Sequence, residues 1–94
     1  MNSEEWTSEY SEQLIAILRK LKKKDPVKYN IILKKRDDIK EKIKINPGHF
    51  KNLQHGLSEF RRVHIDRNFV LIFKVDKRNR TLRFEDFDHH DNIY

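Results

Sequence analysis

Two histidines among arginines are the residues of this chain best suited to chemistry. Residues Phe60 to Ile65 alternate in a period of two, so Arg62 and His64 share one side of a strand and Arg61, Val63 and Ile65 the other. Val63 and Ile65 belong in a core, which leaves Arg62 and His64 on the open side. In the later run from Thr81 to Phe87, Leu82 and Phe84 belong in the core, so Arg83 and Glu85 face outward. His89 and His90 follow at the end of that run. Imidazoles beside guanidinium groups can carry out acid–base work on a phosphodiester. A base takes the proton of a ribose 2′-hydroxyl, an acid protonates the leaving 5′-oxygen, and arginines hold the charge on the phosphoryl oxygens.

Other chemistries have less support. With no cysteine in the chain, disulfides, thiolate metal sites and cysteine catalysis are excluded. The pair His89-His90 lies near Asp88 and Asp91, but adjacent side chains on an extended segment point opposite ways. No further ligand stands at a recognisable spacing, so no metal is expected. A glycine-rich phosphate loop is missing, and apart from Ser58 the serines gather in the first dozen residues, so a serine triad has no basis. No cofactor is expected.

The elements that would position these residues are legible in the periodicity. Residues Glu4 to Tyr10 suggest a short first strand. Tyr10, Leu14, Ile17, Leu18 and Leu21 recur at helical spacing, with Ser11 or Ser8 as N-cap and Lys22-Lys23-Lys24 at the negative end of the helix dipole. Asp25-Pro26 restarts a helix, an acidic cap before proline at the first helical position. Behind it Tyr29, Ile32, Arg36, Ile39 and Ile43 form a second stripe, widened by Val27, Ile31 and Leu33, until Asn46-Pro47-Gly48 stops it. Strands are then expected over 60–65, 69–75 and 81–87, joined by turns at Asp66-Arg67-Asn68 and Asp76 to Arg80. The middle strand is apolar on both faces and belongs inside the sheet. The expected architecture is a single α+β domain over residues 1–94, with an αα-hairpin packed on one face of a small antiparallel sheet.

Charge points to a polyanionic partner. The 94 residues carry a net charge of +6, with twelve Lys or Arg against four acids between Arg19 and Lys44. Between Arg61 and Arg83 eight basic residues face only Asp66 and Asp76. Nucleic acid, a ribosome, a membrane surface or an acidic protein would each fit. The polar, acidic start lacks the pattern of a signal peptide. No apolar run approaches the roughly 20 residues of a membrane span. A cytoplasmic protein without a membrane partner is therefore expected.

The run Phe60-Arg-Arg-Val-His-Ile-Asp-Arg-Asn-Phe-Val-Leu-Ile-Phe-Lys-Val75 resembles the central hairpin of RelE/ParE-superfamily toxins, closely so in the YafQ branch. Leu82-Arg-Phe-Glu-Asp-Phe-Asp-His-His-Asp-Asn-Ile-Tyr94 resembles the family's terminal block. Leu53-Gln-His-Gly-Leu57 looks like the lead into the sheet, and Leu21-Lys-Lys-Lys-Asp-Pro26 like the helical corner. The resemblance implies the order β-α-α-β-β-β, with room for one more strand. It also implies a toxin of a type II toxin–antitoxin system that acts as a ribosome-dependent mRNA endoribonuclease in the decoding site. Its products would be a 2′,3′-cyclic phosphate and a 5′-hydroxyl, and a cognate antitoxin would neutralise it.

The resemblance makes His64 the strand histidine and His90 a candidate general acid, with Arg62 and Arg83 as the arginines that stabilise charge. Tyr94 would stack on a base and Lys51 would hold phosphate. Arg61, Asp66, Phe69 and His89 complete the expected RNA contacts. Two positions depart from the pattern. Asn68 stands where the branch has aspartate, with Asp66 two residues away. Asp86 stands where an arginine is expected, and Arg83 would share its side of the sheet only if the strand register cooperates. The alternative is a non-catalytic relative on the same fold, including a gyrase poison of the ParE type.

Overall fold

The structure is a computed structural model that describes residues 5–50 and 60–89. Its elements run β1 (Thr7–Tyr10), α1 (Glu12–Lys24), α2 (Pro26–Ile45), β2 (Phe60–Ile65), β3 (Phe69–Asp76) and β4 (Thr81–His89). Both helices start on side-chain caps. Ser11 accepts a hydrogen bond from the Leu14 amide at 3.1 Å, and Asp25 accepts one from the Lys28 amide at 3.1 Å. Asp25 also closes α1, its own amide reaching the Leu21 carbonyl at 2.8 Å. One residue thus ends one helix and begins the next, which makes the hairpin tight.

The strands lie in the order β1-β4-β3-β2. The β2-β3-β4 meander is antiparallel, as its period and its turn residues predict. The sheet as a whole is mixed, because β1 pairs with β4 in parallel. The first strand therefore flanks the last, and helices α1 and α2 supply the crossover that a parallel pair needs. Strand β3 sits inside the sheet, as its two apolar faces require.

One face of the sheet carries Ile65, Leu71, Phe73, Leu82, Phe84 and Phe87, which pack with Trp6, Leu14, Ile32, Ile39 and Ile43 in one buried cluster. Tyr10 stacks on Phe84 with ring centroids 5.5 Å apart, and Phe73 lies 6.0 Å from Phe84. Aromatic side chains bury a large area each, which gives a short and highly charged chain its core.

The β3–β4 ladder contains one irregularity. Phe73 pairs with Phe84, yet the next pair is Ile72 with Asp86, so Glu85 is an extra residue on β4. A bulge of this kind leaves one residue outside the ladder and resets the alternation beyond it. The N-terminus of α1 satisfies the bulged residue. The Glu85 carbonyl accepts hydrogen bonds from the Ser11 hydroxyl and from Gln13 Nε2 at 3.1 Å. The reset puts Phe87 into the core and turns Asp86 and Asp88 to the other face.

Candidate functional site

The face turned away from the helices is built in rows across three strands. Cross-strand partners point to the same side, so the register identifies the members of each row. His64, Val70 and Asp88 make one row, and Arg62, Ile72 and Asp86 the next. Phe60, Lys74 and Arg83 make a third, which continues to Glu9 on β1. The middle strand supplies an apolar floor, since Val70 and Ile72 are buried although they lie outside the helix-facing cluster. In the first two rows Arg62 and His64 stand on β2 and Asp86 and Asp88 on β4, while the third row carries Lys74 on β3 and Arg83 on β4. His64 is exposed and Arg62 half-buried.

The electrostatics of this face differ from strand to strand. Arg83 is bracketed by carboxylates, with Glu85 at 2.7 Å and Glu9 at 3.4 Å. Both pairs are partly exposed, so an incoming phosphate can compete for the guanidinium at small cost. Lys74 Nζ lies over the Phe60 ring, 4.7 Å from its centroid. Burial raises the pKa of the Asp86 carboxyl above its ordinary value. The neighbouring Asp88 and Glu85 raise it further, while the hydrogen bond from the Phe87 amide opposes the shift.

The residues singled out in the sequence fall into three groups. Arg62, His64 and Arg83 share the face turned from the helices, and the bulge places Asp86 beside them, so Arg83 and Asp86 stand on one side. Arg61, Phe69 and His89 lie on the opposite side of the sheet. Arg61 is buried there, and desolvation pulls its pKa down. Phe69 stacks on Phe87 at 5.1 Å, meets His89 edge-on at 5.4 Å, and carries Lys28 Nζ 3.9 Å above its ring. Asp66 occupies the β2–β3 turn at φ 60°, where its carboxylate accepts the Arg67 amide at 2.9 Å. Asp and Asn are among the few residues at ease in that left-handed region. Lys51, His90 and Tyr94 lie outside the described residues.

Sequence reading missed Lys74 and Asp88 as members of this face. Lys74 was within reach, since Val70, Ile72 and Lys74 alternate. Asp88 was not, because its side depends on the bulge. Among the described residues no group of three or more His, Asp or Glu side chains is placed to hold a metal ion. No helix of the described residues is long and apolar enough to cross a membrane.

Comparison with known proteins identifies the setting of this face. Residues 5–94 match the family model described as the ParE toxin of the type II toxin–antitoxin system parDE. A Methanocaldococcus jannaschii protein bearing the name "Putative toxin RelE4" is 54% identical over 86 residues, covering 92% of this chain and 87% of its own length. An uncharacterized Methanosarcina mazei protein is 44% identical over 82 residues, covering 87% of this chain and 91% of its own. Among solved structures, Helicobacter pylori HP0892 superposes with a TM-score of 0.65 at 22% identity, covering 96% of this chain and 100% of its own. E. coli YafQ superposes with a TM-score of 0.61 at 20% identity, over 96% and 99% of the two chains. These two likenesses concern the fold; the family rests on the model match and the closer relatives. The chain belongs to the RelE/ParE superfamily of type II toxin–antitoxin toxins, and a cognate antitoxin is its implied partner.

Proposed function

We propose that this toxin is an mRNA endoribonuclease acting on the translating ribosome, through attack of a ribose 2′-hydroxyl on the adjacent phosphate. The observation that carries the reading is the pairing of Arg62 and His64 on one face of β2, beside a buried apolar strip and away from the helices. An exposed imidazole can exchange protons with a bound ribose, and a guanidinium two residues along the strand can hold the phosphate. The RelE name of the 54% identical relative and the fold shared with YafQ support the same reading. His90 supplies a second imidazole, with Lys51, Asp66 and Tyr94 as further RNA contacts, and Arg83 as a second arginine; Arg61, Phe69 and His89, on the opposite side of the sheet, are left out of that contact set. The toxin acts in the cytoplasm without metal or cofactor, and the antitoxin silences it.

Expression without antitoxin should arrest growth and leave translated mRNA cut within codons, only where ribosomes are present. His64→Ala combined with His90→Ala should abolish the cuts and leave the far-ultraviolet circular dichroism spectrum unchanged. The second reading, a ParE-type poison of gyrase, is favoured by the description of the matching family model. Arrest that persists in the double variant, with intact mRNA and accumulated gyrase–DNA breaks, would establish it instead.

A further inference from the structure

The bulge at Glu85 gives Asp86 a different standing from the one its position in the family pattern implies. A carboxylate where an arginine is expected reads at first as a defect, since it repels phosphate. The register places it across Ile72 from Arg62 and one row from His64, on the same face. We propose that Asp86 is a catalytic residue, the general base that takes the 2′-hydroxyl proton, while His64 in its protonated form donates to the leaving 5′-oxygen. This proposal rests on the ribonuclease reading of the same face.

Distance permits the assignment. An in-line displacement strung between two hydrogen bonds of about 2.8 Å needs base and acid roughly 8–9 Å apart. Strands β2 and β4 are separated by two strand spacings, about 9.6 Å, and neighbouring rows by about 6.7 Å along a strand. The His64 and Asp86 backbones therefore stand about 12 Å apart on the diagonal, and side chains leaning toward each other bring their tips within the required span. A phosphodiester held between these flanks, above the buried Val70 and Ile72, reaches a group on each, and Arg62 stands on the side of His64 to hold a phosphoryl oxygen. The apolar floor excludes water beneath the reacting bonds. In the step itself the 2′-O–H bond breaks towards the Asp86 carboxylate and the 2′-oxygen forms a bond to phosphorus. The bond from phosphorus to the 5′-oxygen then breaks, and that oxygen takes the proton of His64. The products are a 2′,3′-cyclic phosphate and a 5′-hydroxyl; solvent returns the two side chains to their starting states.

The surroundings suit a base. Arg62 and His64 face Asp86 from β2, Lys74 from β3, and Arg83, Glu85 and Asp88 from its own strand. The cations offset repulsion of the phosphate, while partial burial and the adjacent carboxylates strengthen the hold of Asp86 on a proton. A base works best when its proton affinity approaches the operating pH. Such a group carries a stability signature. Its raised folded-state pKa means that the stability it contributes is present at low pH and lost as pH rises through that pKa. Replacing it with asparagine should therefore leave the fold at least as stable at neutral pH.

The test is cleavage on programmed ribosomes by the full chain and its Asp86→Asn, Asp86→Glu and Asp86→Arg variants, with kcat, KM and pH profiles. Asp86→Asn should lower kcat about 10²-fold or more, leave KM nearly unchanged and melt no lower than the parent. The parent's rate should rise with pH along an acid limb that Asp86→Glu displaces and Asp86→Asn removes. Wild-type kcat in Asp86→Asn, equal or greater activity in Asp86→Arg, or a parent profile without an acid limb would overturn the proposal while leaving the ribonuclease standing. A parent that arrests growth and cuts no mRNA removes both, and is told apart by the absence of any rate to compare.

Discussion

The two faces of the sheet follow different rules. The face under the helices is apolar almost throughout, with Arg61 as a buried charged exception, and its apolar side chains pack in one cluster. The outer face mixes Arg62 and His64 on β2, Val70, Ile72 and Lys74 on β3, and Arg83, Asp86 and Asp88 on β4. Packing on the first face tolerates few changes because a lost methylene leaves a cavity. Charges on the second contribute little to stability, so their arrangement is available for binding and chemistry. The bulge joins the two faces. A single extra residue on β4 brings Phe87 inward and sends Asp86 and Asp88 outward, so the core and the candidate site are specified together.

Mutations can break or sharpen this contrast. Phe84→Ala removes a ring that touches both Tyr10 and Phe73, and should cost about 3–5 kcal/mol in denaturant unfolding. Ser11→Ala should cost about 1–2 kcal/mol by loss of the cap. Because the Ser11 hydroxyl also anchors the bulge carbonyl, this variant should lose cleavage activity as well, although it lies on the helical side. A Ser11→Ala protein of full activity would show that the bulge holds without its anchor. Smallest of all, Arg83→Gln should change stability by less than about 1 kcal/mol, since its ion pairs are partly exposed. Its effect on cleavage measures whether Arg83 leaves Glu9 and Glu85 to meet RNA.

Much of the covered face was legible in the sequence. The stripes of α1 and α2, the Asp25-Pro26 corner and the alternation of β2 and β3 each reflect one repeating local preference, and local preferences can be read along a chain. The Ser11 cap could be named for the same reason. Two features could not be read. The parallel pairing of β1 with β4 joins residues far apart, and a four-residue strand carries little pattern of its own. The bulge breaks the period-two rule from within a strand that otherwise obeys it. Strict alternation from Leu82 and Phe84 would bury Asp86 and expose Phe87. The cost of a buried carboxylate favours the reset, though no local residue announces where it falls. For the site, Arg62 and His64 followed from alternation alone, whereas the place of Asp86 and Asp88 depended on the register.

The parallel strand pair also bears on how the molecule is made. Thr7 meets Thr81 and Tyr10 meets Phe84, so the first strand has no partner until β4 has been made. A chain emerging from the ribosome can form its helical hairpin early, from neighbours in sequence, but the edge of its sheet must wait for β4. Sheet closure therefore follows the synthesis of all three later strands. The strand that β1 completes is the one that carries Asp86, so the outer face is fully assembled only once β4 has joined the edge strand made first.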